Sequence, residues 1–515
     1  MAQFDSAPAF PGAEGHGRYV TGGRGGKVVH VTNLNDNGPG SLREAVTGDE
    51  RKIIVFDVAG VIAMESDLMI GENTTIMGQT APAPGITMRY YTVVPSSNNI
   101  VRYMRFRRGQ ERNVSDNADA SSATRKTGII LDHCSFSWSI DEVASFYDNN
   151  NFTMQWCTVA ESLTNPGHTK GSHGFGGIWG GKLASFHHNL IAHVSNRGPR
   201  FNGARYGWQG YTDNARYGVC RWENTVQAEN VDFRNCLMYN AQGTCYGGPG
   251  GGQVNIVNNY YKAGPRGNGN QECVTTISVS VRGNSDRRHP EFFGMTSRYY
   301  ISGNTTETTA GSKTDGKDWD GVVYDPGLFT VNGEVCSLDT NNFYGSAVKH
   351  VINGNGEPCV PVRMEKPCPA GDITTHTAGE AYAKVLRYGG ASLFRDDVDA
   401  RYAKEVESGT VTYTGSVTGK PGLVDFVSDV NGYTEETFGT AQYPEGYDTD
   451  GDGIPDEWEK AHGLSVGADN SATFTLDRKG WYTDLEVYCN SIVEHITKAE
   501  RSDAESSFEE YFPVK

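Results

Sequence analysis

The sequence predicts an all-β chain folded as a right-handed parallel β-helix, a solenoid, with a helical C-terminal extension carrying an EF-hand-like calcium loop. Three observations lead there. Short β-like segments recur along the first half of the chain. None is followed by the helical crossover of ten or so residues that a βαβ unit needs. The composition, with 64 Gly and 26 Tyr in 515 residues and 37% hydrophobic, suits turn-rich β structure and not a helical bundle.

Taken in order, the glycine-rich "TGGRGGKVVHV" from Thr21 fails as a phosphate loop, because Thr21 and Val28 stand where Gly and Ser or Thr are required. It reads as a turn before the first strand. The repeated segments begin at Asn99, Gly128, Asn151, Lys182, Asn230 and Gln253, in steps of 29, 23, 31, 48 and 23 residues. Each alternates apolar and polar residues and ends in a polar or glycine turn, the pattern of a solenoid with loop insertions. A β-sandwich is the structural rival. Asn189, Asn235 and Asn258 hold similar places in successive segments and are expected to stack in one ladder. After about residue 370 the text changes: "GEAYAKVLRYGGASLFRDDVDARYAKEV" has helical spacing and reads as helices packed on the solenoid. The expected division is 1–370 solenoid, 371–445 helical and irregular, and 446–515 calcium loop with a C-terminal helix.

A net charge of −17 argues against nucleic acid as partner. An acidic ligand is still compatible, because a bound cation can bridge two anions. No stretch approaches the roughly 18 apolar residues of a membrane span. The opening "MAQFDSAPAF" shows neither a charged n-region nor an apolar h-region, so no signal peptide is expected in it. Cys134, Cys157, Cys236 and Cys245 read as small buried side chains. Cys336, Cys359 and Cys368 lie in loop-rich text and could include a disulfide.

Three motifs carry chemistry. In "DTDGDGIPDEWE", Asp448, Asp450, Asp452, Asp456 and Glu459 fall at positions 1, 3, 5, 9 and 12, with Gly453 at 6. This is the ligand spacing of an EF-hand loop, with Ile454 lending its carbonyl. Pro455 suits a type-3-repeat-like loop better than a helix–loop–helix. The expected role is structural. The second motif, "SDNADASSATRKTGIILDHCSFSWSIDEVAS", offers Asp116, Asp119, Asp132, Asp141 and Glu142. Acids on adjacent coils can converge on a cation; turn-forming Asp residues are the equal alternative. The third is "VSNRGPRF", where Arg197 and Arg200 flank a Gly-Pro turn. Surface ion pairs are the plainer reading of these arginines. Lys170, in "GHTKGSH", lies one coil earlier.

Together, "ILDHCSFSWSIDE", "SFHHNLIAHVSNRGPRF" and "PAFPGAEGHGRYVTGGRGGKVVHVTNLNDNGPGSLREAV" resemble the polysaccharide lyase family 1 pectate lyases, Bacteroidetes-type. The resemblance is strong from about Pro8 to about Tyr260. It implies a parallel β-helix that cleaves polygalacturonate by β-elimination, with Ca²⁺ between enzyme and substrate carboxylate. By position it implies Asp119 and Asp141 as calcium ligands, Lys170 as a substrate-binding lysine and Arg197 as the base. Ser145 stands where the family often has a further acid, so either Glu142 substitutes, with Asp116 nearby, or calcium is held more weakly. Asn202 stands where the family commonly has a second arginine, which passes substrate binding to Arg200 or Arg205. A monomer that is secreted, periplasmic or on a bacterial surface is expected. The rivals are a β-helix polygalacturonase, a pectin lyase, and a non-enzymatic carbohydrate-binding solenoid.

Overall fold

The computed structural model describes residues 6–202, 229–241, 244–247, 252–267, 270–277, 297–324, short strands within 330–361, and 363–513. Among these residues, three long sheets run the length of the molecule with ten, nine and eleven strands. One coil supplies Thr127–Asp132, Ser135–Ser137 and Ala144–Tyr147, one strand to each sheet. The next supplies Asn150–Gln155, Thr158–Ala160 and Ile178–Trp179. The one after supplies Ala184–His187, Leu190–Ala192 and Gly198–Phe201. Equivalent strands pair in parallel from coil to coil. This is the parallel β-helix that the repeated segments predict. Inward side chains such as Leu131, Phe136, Phe146, Phe152, Phe186 and Phe233 fill one continuous core. Each such chain contributes about 1.5–3 kcal/mol when fully buried.

The corner between the ten- and eleven-stranded sheets is a two-residue turn. Its first residue is left-handed in coil after coil: Tyr103, His133, Trp156, His188, Asn235 and Asn258 have φ of 55°, 52°, 53°, 53°, 52° and 51°. That conformation is uncommon for bulky residues. Here repetition offsets its cost, because rings stack between coils: Tyr103 on His133 at 4.6 Å and Trp156 on His188 at 4.2 Å. The second residue of the turn points inward and forms the true ladder. Asn189 Oδ1 accepts from Cys157 N at 2.8 Å, Asn259 Oδ1 from Cys236 N at 2.8 Å, and Asn304 Oδ1 from Asn259 N at 2.9 Å. The single ladder expected of Asn189, Asn235 and Asn258 is therefore corrected. Asn235 and Asn258 sit one residue earlier, in the left-handed column, and both donate to His376 O at 2.7 Å. Cys134, Cys157 and Cys236 are buried thiols, as expected, and so is Cys368, which is free and forms no disulfide. Loop-rich text allowed Cys368 a place in a disulfide; its thiol is instead buried against Asn255, whose Oδ1 accepts the Cys368 backbone N–H at 2.9 Å. Cys336 and the side chains of Cys245 and Cys359 lie outside the described residues.

Residues beyond 370 wrap back over the solenoid. Helix Ala378–Tyr388 starts on a Thr377–Glu380 capping box, and Asp397–Ser408 ends on Gly409 at φ 69°. Ala378, Val385, Val398, Tyr402 and Val406 pack on Trp138, Trp156, Leu190, Leu237 and Tyr239. Buried Arg107 pairs with Asp396 at 2.7 Å and Asp399 at 2.9 Å. Strand Ala441–Gln442 adds antiparallel to Val58–Ala63 and covers the edge of the eleven-stranded sheet. No helix among the described residues is long and apolar enough to cross a membrane.

Candidate functional site

The nine-stranded sheet positions the site. Just before its strands, residues from consecutive coils line up: Glu142, Phe175 and Asn196 form parallel bridges. Asp119 stands one coil before Glu142, whose backbone N–H donates to Asp119 Oδ1 at 3.0 Å. Stacking coils thus bring together residues distant in sequence. One carboxylate oxygen each from Asp119, Asp141 and Glu142 lies within 4.8 Å of the others. Asp141 Oδ1 is buried and has no hydrogen-bond partner. Burial and the neighbouring Asp141 push the Asp119 carboxyl well above its ordinary range. Ser145, where an acid was absent from the motif, accepts the Ile178 N–H on its hydroxyl at 3.1 Å. Three crowded carboxylates with an orphaned oxygen fit a hard divalent cation, which takes oxygen ligands. Asp116 does not join them. It is drawn into an ion pair with buried Arg108, and Asn113 Nδ2 donates to it at 3.0 Å.

Arg197 faces this cluster. It takes φ 53°, its N–H is held by Asn196 Oδ1 at 2.7 Å, and its carbonyl accepts from Gly177 N at 2.8 Å. Its guanidinium forms an ion pair with Glu142 and lies 4.4 Å from the centroid of the Phe175 ring. The Gly-Pro turn expected between the arginines is not a turn. Gly198–Phe201 is a strand, and the left-handed residue is Arg197, just before it, with φ 53°. Phe201 packs in the core, so Arg200, adjacent in the strand, faces outward by alternation. Arg205 lies outside the described residues.

Lys170 is exposed on the loop between Ala160 and Ile178. Its backbone is fixed at three points. Lys170 N donates to His168 Nδ1 at 3.0 Å, Thr169 N to Asn117 Oδ1 at 2.8 Å, and Gly171 N to His168 O at 2.9 Å. The His168 and His173 rings stack at 3.6 Å, and His173 leans on Phe175 at 4.5 Å. A continuous row, His168, His173, Phe175, Arg197, therefore joins the lysine loop to the arginine. Sequence reasoning missed His168, His173 and Phe175. They sit in glycine-rich text that reads as a turn, and the one available signal was two histidines and a phenylalanine at short spacing beside Lys170.

The second acidic cluster is the predicted loop. Oxygens of Asp448, Asp450 and Asp452 lie within 4.8 Å of one another. Both Asp450 oxygens and Glu459 Oε2 are buried without hydrogen-bond partners. Burial, then Asp452 and Asp450, push the Glu459 carboxyl up to about 7; burial pushes Asp452 up to about 6. These four carboxylates fit a calcium ion. Asp456 is engaged elsewhere, accepting from Thr449 N and Oγ1 at 2.7 Å each. Ile454 is fully buried, and its N–H donates to Asp452 Oδ1 at 2.8 Å.

A β-helix that lines an acidic, cation-ready cluster, an arginine and a lysine along one sheet has the make-up of an enzyme for anionic polysaccharides. No family model matches the chain. "Probable pectate lyase C" of Neosartorya fischeri is 32% identical over 504 residues, covering 94% of this chain and 94% of that protein. "Probable pectate lyase C" of Aspergillus flavus is 31% identical over 505 residues, covering 96% of each. The solved thermostable pectate lyase PL 47 aligns with a TM-score of 0.43 and 14% identity, over 74% of this chain and 97% of that one. The chain belongs to the pectate lyase family.

Proposed function

We propose that the chain cleaves α-1,4-linked polygalacturonate by calcium-assisted β-elimination, giving unsaturated oligogalacturonides, with Arg197 as the base. The observation that supports this best is the convergence of Arg197 with Asp119, Asp141 and Glu142 on one face of the solenoid.

The C5 hydrogen of a galacturonate lies α to a carboxylate, whose negative charge makes proton removal hard. Asp119, Asp141 and Glu142 would hold the calcium, which when bound would supply positive charge against this carboxylate. Lys170 pairs with it as well and steadies the charge that gathers there as the C5 proton leaves. Arg197, having first passed its own proton to solvent, takes the C5 proton at the nitrogen of its neutral guanidine and becomes guanidinium. The C5–H electrons become the C4–C5 double bond, the C4–O bond breaks, and the leaving oxygen takes a proton from water. Guanidinium resists deprotonation, and the ion pair with Glu142 holds its proton in place. The base role therefore needs Glu142 turned to another partner. The surroundings of Arg197 are acidic, with Glu142 paired to it and Asp119 and Asp141 in the same cluster. Arg200, outward on its strand, binds a neighbouring uronate.

The finer readings are proposals too: polysaccharide lyase family 1, a second, structural calcium at Asp448–Glu459, a monomer, the division near residues 370 and 445, and a secreted, periplasmic or surface location. Both curated relatives described are fungal, and nothing in them favours a bacterial, Bacteroidetes-type origin.

The test is incubation with polygalacturonate, with calcium or with EDTA, while near-UV absorbance of unsaturated uronate is followed. A calcium-dependent rise is expected. No rise in calcium overturns the reading; new reducing ends without absorbance mark a hydrolase, and a rise insensitive to EDTA marks a pectin lyase.

A further inference from the structure

Asp141, His168 and His173 also draw together, with one ligand atom of each within 4.8 Å of the others. Two histidines and a carboxylate suggest a transition-metal site, but proton positions decide against it. His168 Nδ1 accepts the Lys170 N–H at 3.0 Å, so in the neutral ring the proton sits on Nε2. That nitrogen has no lone pair for a metal. His173 is set the opposite way, with Nδ1 against Gly171 O at 3.1 Å, which makes Nδ1 the donor.

His168 is buried, and its Nε2 has no hydrogen-bond partner. The acceptor it faces is Asp141 Oδ2, at 3.6 Å. Such contacts are often long in a ligand-free site and tighten when it is loaded. One imidazole thus addresses two parts of the site at once. Its Nε2–H points at a carboxylate of the calcium cluster, and its Nδ1 sets the backbone of Lys170.

We propose that His168 is a positioning residue that couples the calcium carboxylate Asp141 to the substrate-binding Lys170. The proposal rests on the lyase reading above, with Asp141 on the metal and Lys170 on the substrate. Stacking on His173 keeps the ring in plane. Asn117, holding Thr169 N at 2.8 Å, supports the same turn without touching the carboxylates, so it marks the lysine end alone.

Two substitutions separate the two ends of the ring. In His168→Asn the amide oxygen stands in for Nδ1 and keeps the Lys170 contact, while the reach to Asp141 is lost. In His168→Gln the amide reaches the place of Nε2, and the Lys170 contact is lost. Calcium affinity is read by calorimetry on the full chain without substrate, taking the heat that Asp119→Asn abolishes. KM and kcat are read at saturating calcium. His168→Asn is expected to weaken that calcium affinity about tenfold with KM within threefold of the parent. His168→Gln is expected to raise KM about tenfold with calcium affinity within threefold. Wild-type values for both variants overturn the proposal, and so does equal loss of both quantities in both variants. If either variant fails to fold, the ¹⁵N shifts of His168 in the unmodified protein decide. A proton on Nε2 supports the coupling, and one on Nδ1 overturns it. A protein without lyase activity in which His168→Asn still loosens calcium would fail the functional reading while keeping the Asp141 contact.

Discussion

Arg197 reaches across the Phe175 coil to pair with Glu142, a carboxylate that also belongs to the acidic cluster with Asp119 and Asp141. One side chain is thus claimed twice, by the arginine and by the cation the cluster fits. The arginine in that ion pair is the charged guanidinium, the form that cannot accept a proton.

Arg197→Lys is expected to lower kcat by about 10²–10⁴-fold, the usual worth of a positioned general base. Lysine keeps the charge but not the planar fork on Phe175. Arg197 is partly exposed but Glu142 is buried; lysine keeps a positive charge beside that carboxylate, so the variant is expected to stay folded with a Tm close to the parent's. Kinetics and a thermal melt on the same sample check this. Full activity in the variant removes Arg197 from the base role.

Glu142→Gln separates the two claims. It releases Arg197 but removes one carboxylate from the cluster. Activity is expected to need more calcium than the parent and to recover as calcium is raised, whereas Arg197→Lys stays inactive at every concentration. Initial rates against free calcium give the answer. An unchanged calcium requirement means that Glu142 serves only as the partner of Arg197.

Phe175 carries the arginine on its ring face at 4.4 Å. A cation–π contact at such a site contributes about 1 kcal/mol. Phe175→Leu keeps apolar bulk and loses the ring, so kcat should fall about fivefold with the calcium requirement unchanged. A loss of calcium affinity instead would place Phe175 with the carboxylates.

Much of this arrangement is legible in the sequence, and the exceptions share one cause. The solenoid shows in period-two segments at short spacing, and Asp119, Asp141 and Arg197 show through motif positions. Coil register does not show. Asn235 and Asn258 look equivalent to Asn189 by text, yet a one-residue offset puts them on the other position of the turn. "RYMRFRRG" reads as a strand with stray charges, but Arg105 and Arg107 are buried beneath the extension and meet Asp396. That acid lies 289 residues beyond Arg107, at a helix start that reads as ordinary capping. Phe175 is likewise a loop aromatic until neighbouring coils set Glu142 on one side and Arg197 on the other.

His133 pins the C-terminal helix Glu494–Glu500 to the left-handed corner. It lies 2.9 Å from Asp132 and 3.0 Å from Glu500, with both carboxylates buried. Burial works against its charge, but Asp132 and then Glu500 overcome this and raise the imidazolium pKa to about 9. Arg102, paired with Asp132 at 2.7 Å, is the other charge facing the cluster. Because the folded value lies above the unfolded one near 6.5, the folded chain binds the extra proton. The stabilisation is full below about pH 6.5 and is lost as pH rises through about 9. Denaturant unfolding from pH 6 to 10 should show that decline, and His133→Gln should lack it. At pH 6.5 the variant should be about 3 kcal/mol less stable, the cost of breaking a buried pair. Parallel curves for the two proteins would show that His133 is not the titrating group.

The loop Asp448–Glu459 acts on the same tail from the other side. Ile454 packs with Leu485, Tyr488 and Cys489 on Ile53, Val55 and Met77 of the first coils, and Glu486 pairs with buried Arg24 at 2.8 Å. The carboxylates beside Ile454 crowd one another, and both Asp450 oxygens are buried without a hydrogen-bond partner, while His30 lies 3.6 Å from Asp448. A cation there removes a repulsion that loosens the contact between tail and solenoid. Calcium at about 100 times its dissociation constant should therefore add about 2.7 kcal/mol, read as a higher Tm in calcium than in EDTA. Asp450→Asn should abolish most of that difference while leaving calcium-dependent cleavage in place, because Asp119, Asp141 and Glu142 are untouched. Loss of cleavage in this variant at saturating calcium would show that the loop acts on the site, not only on the fold.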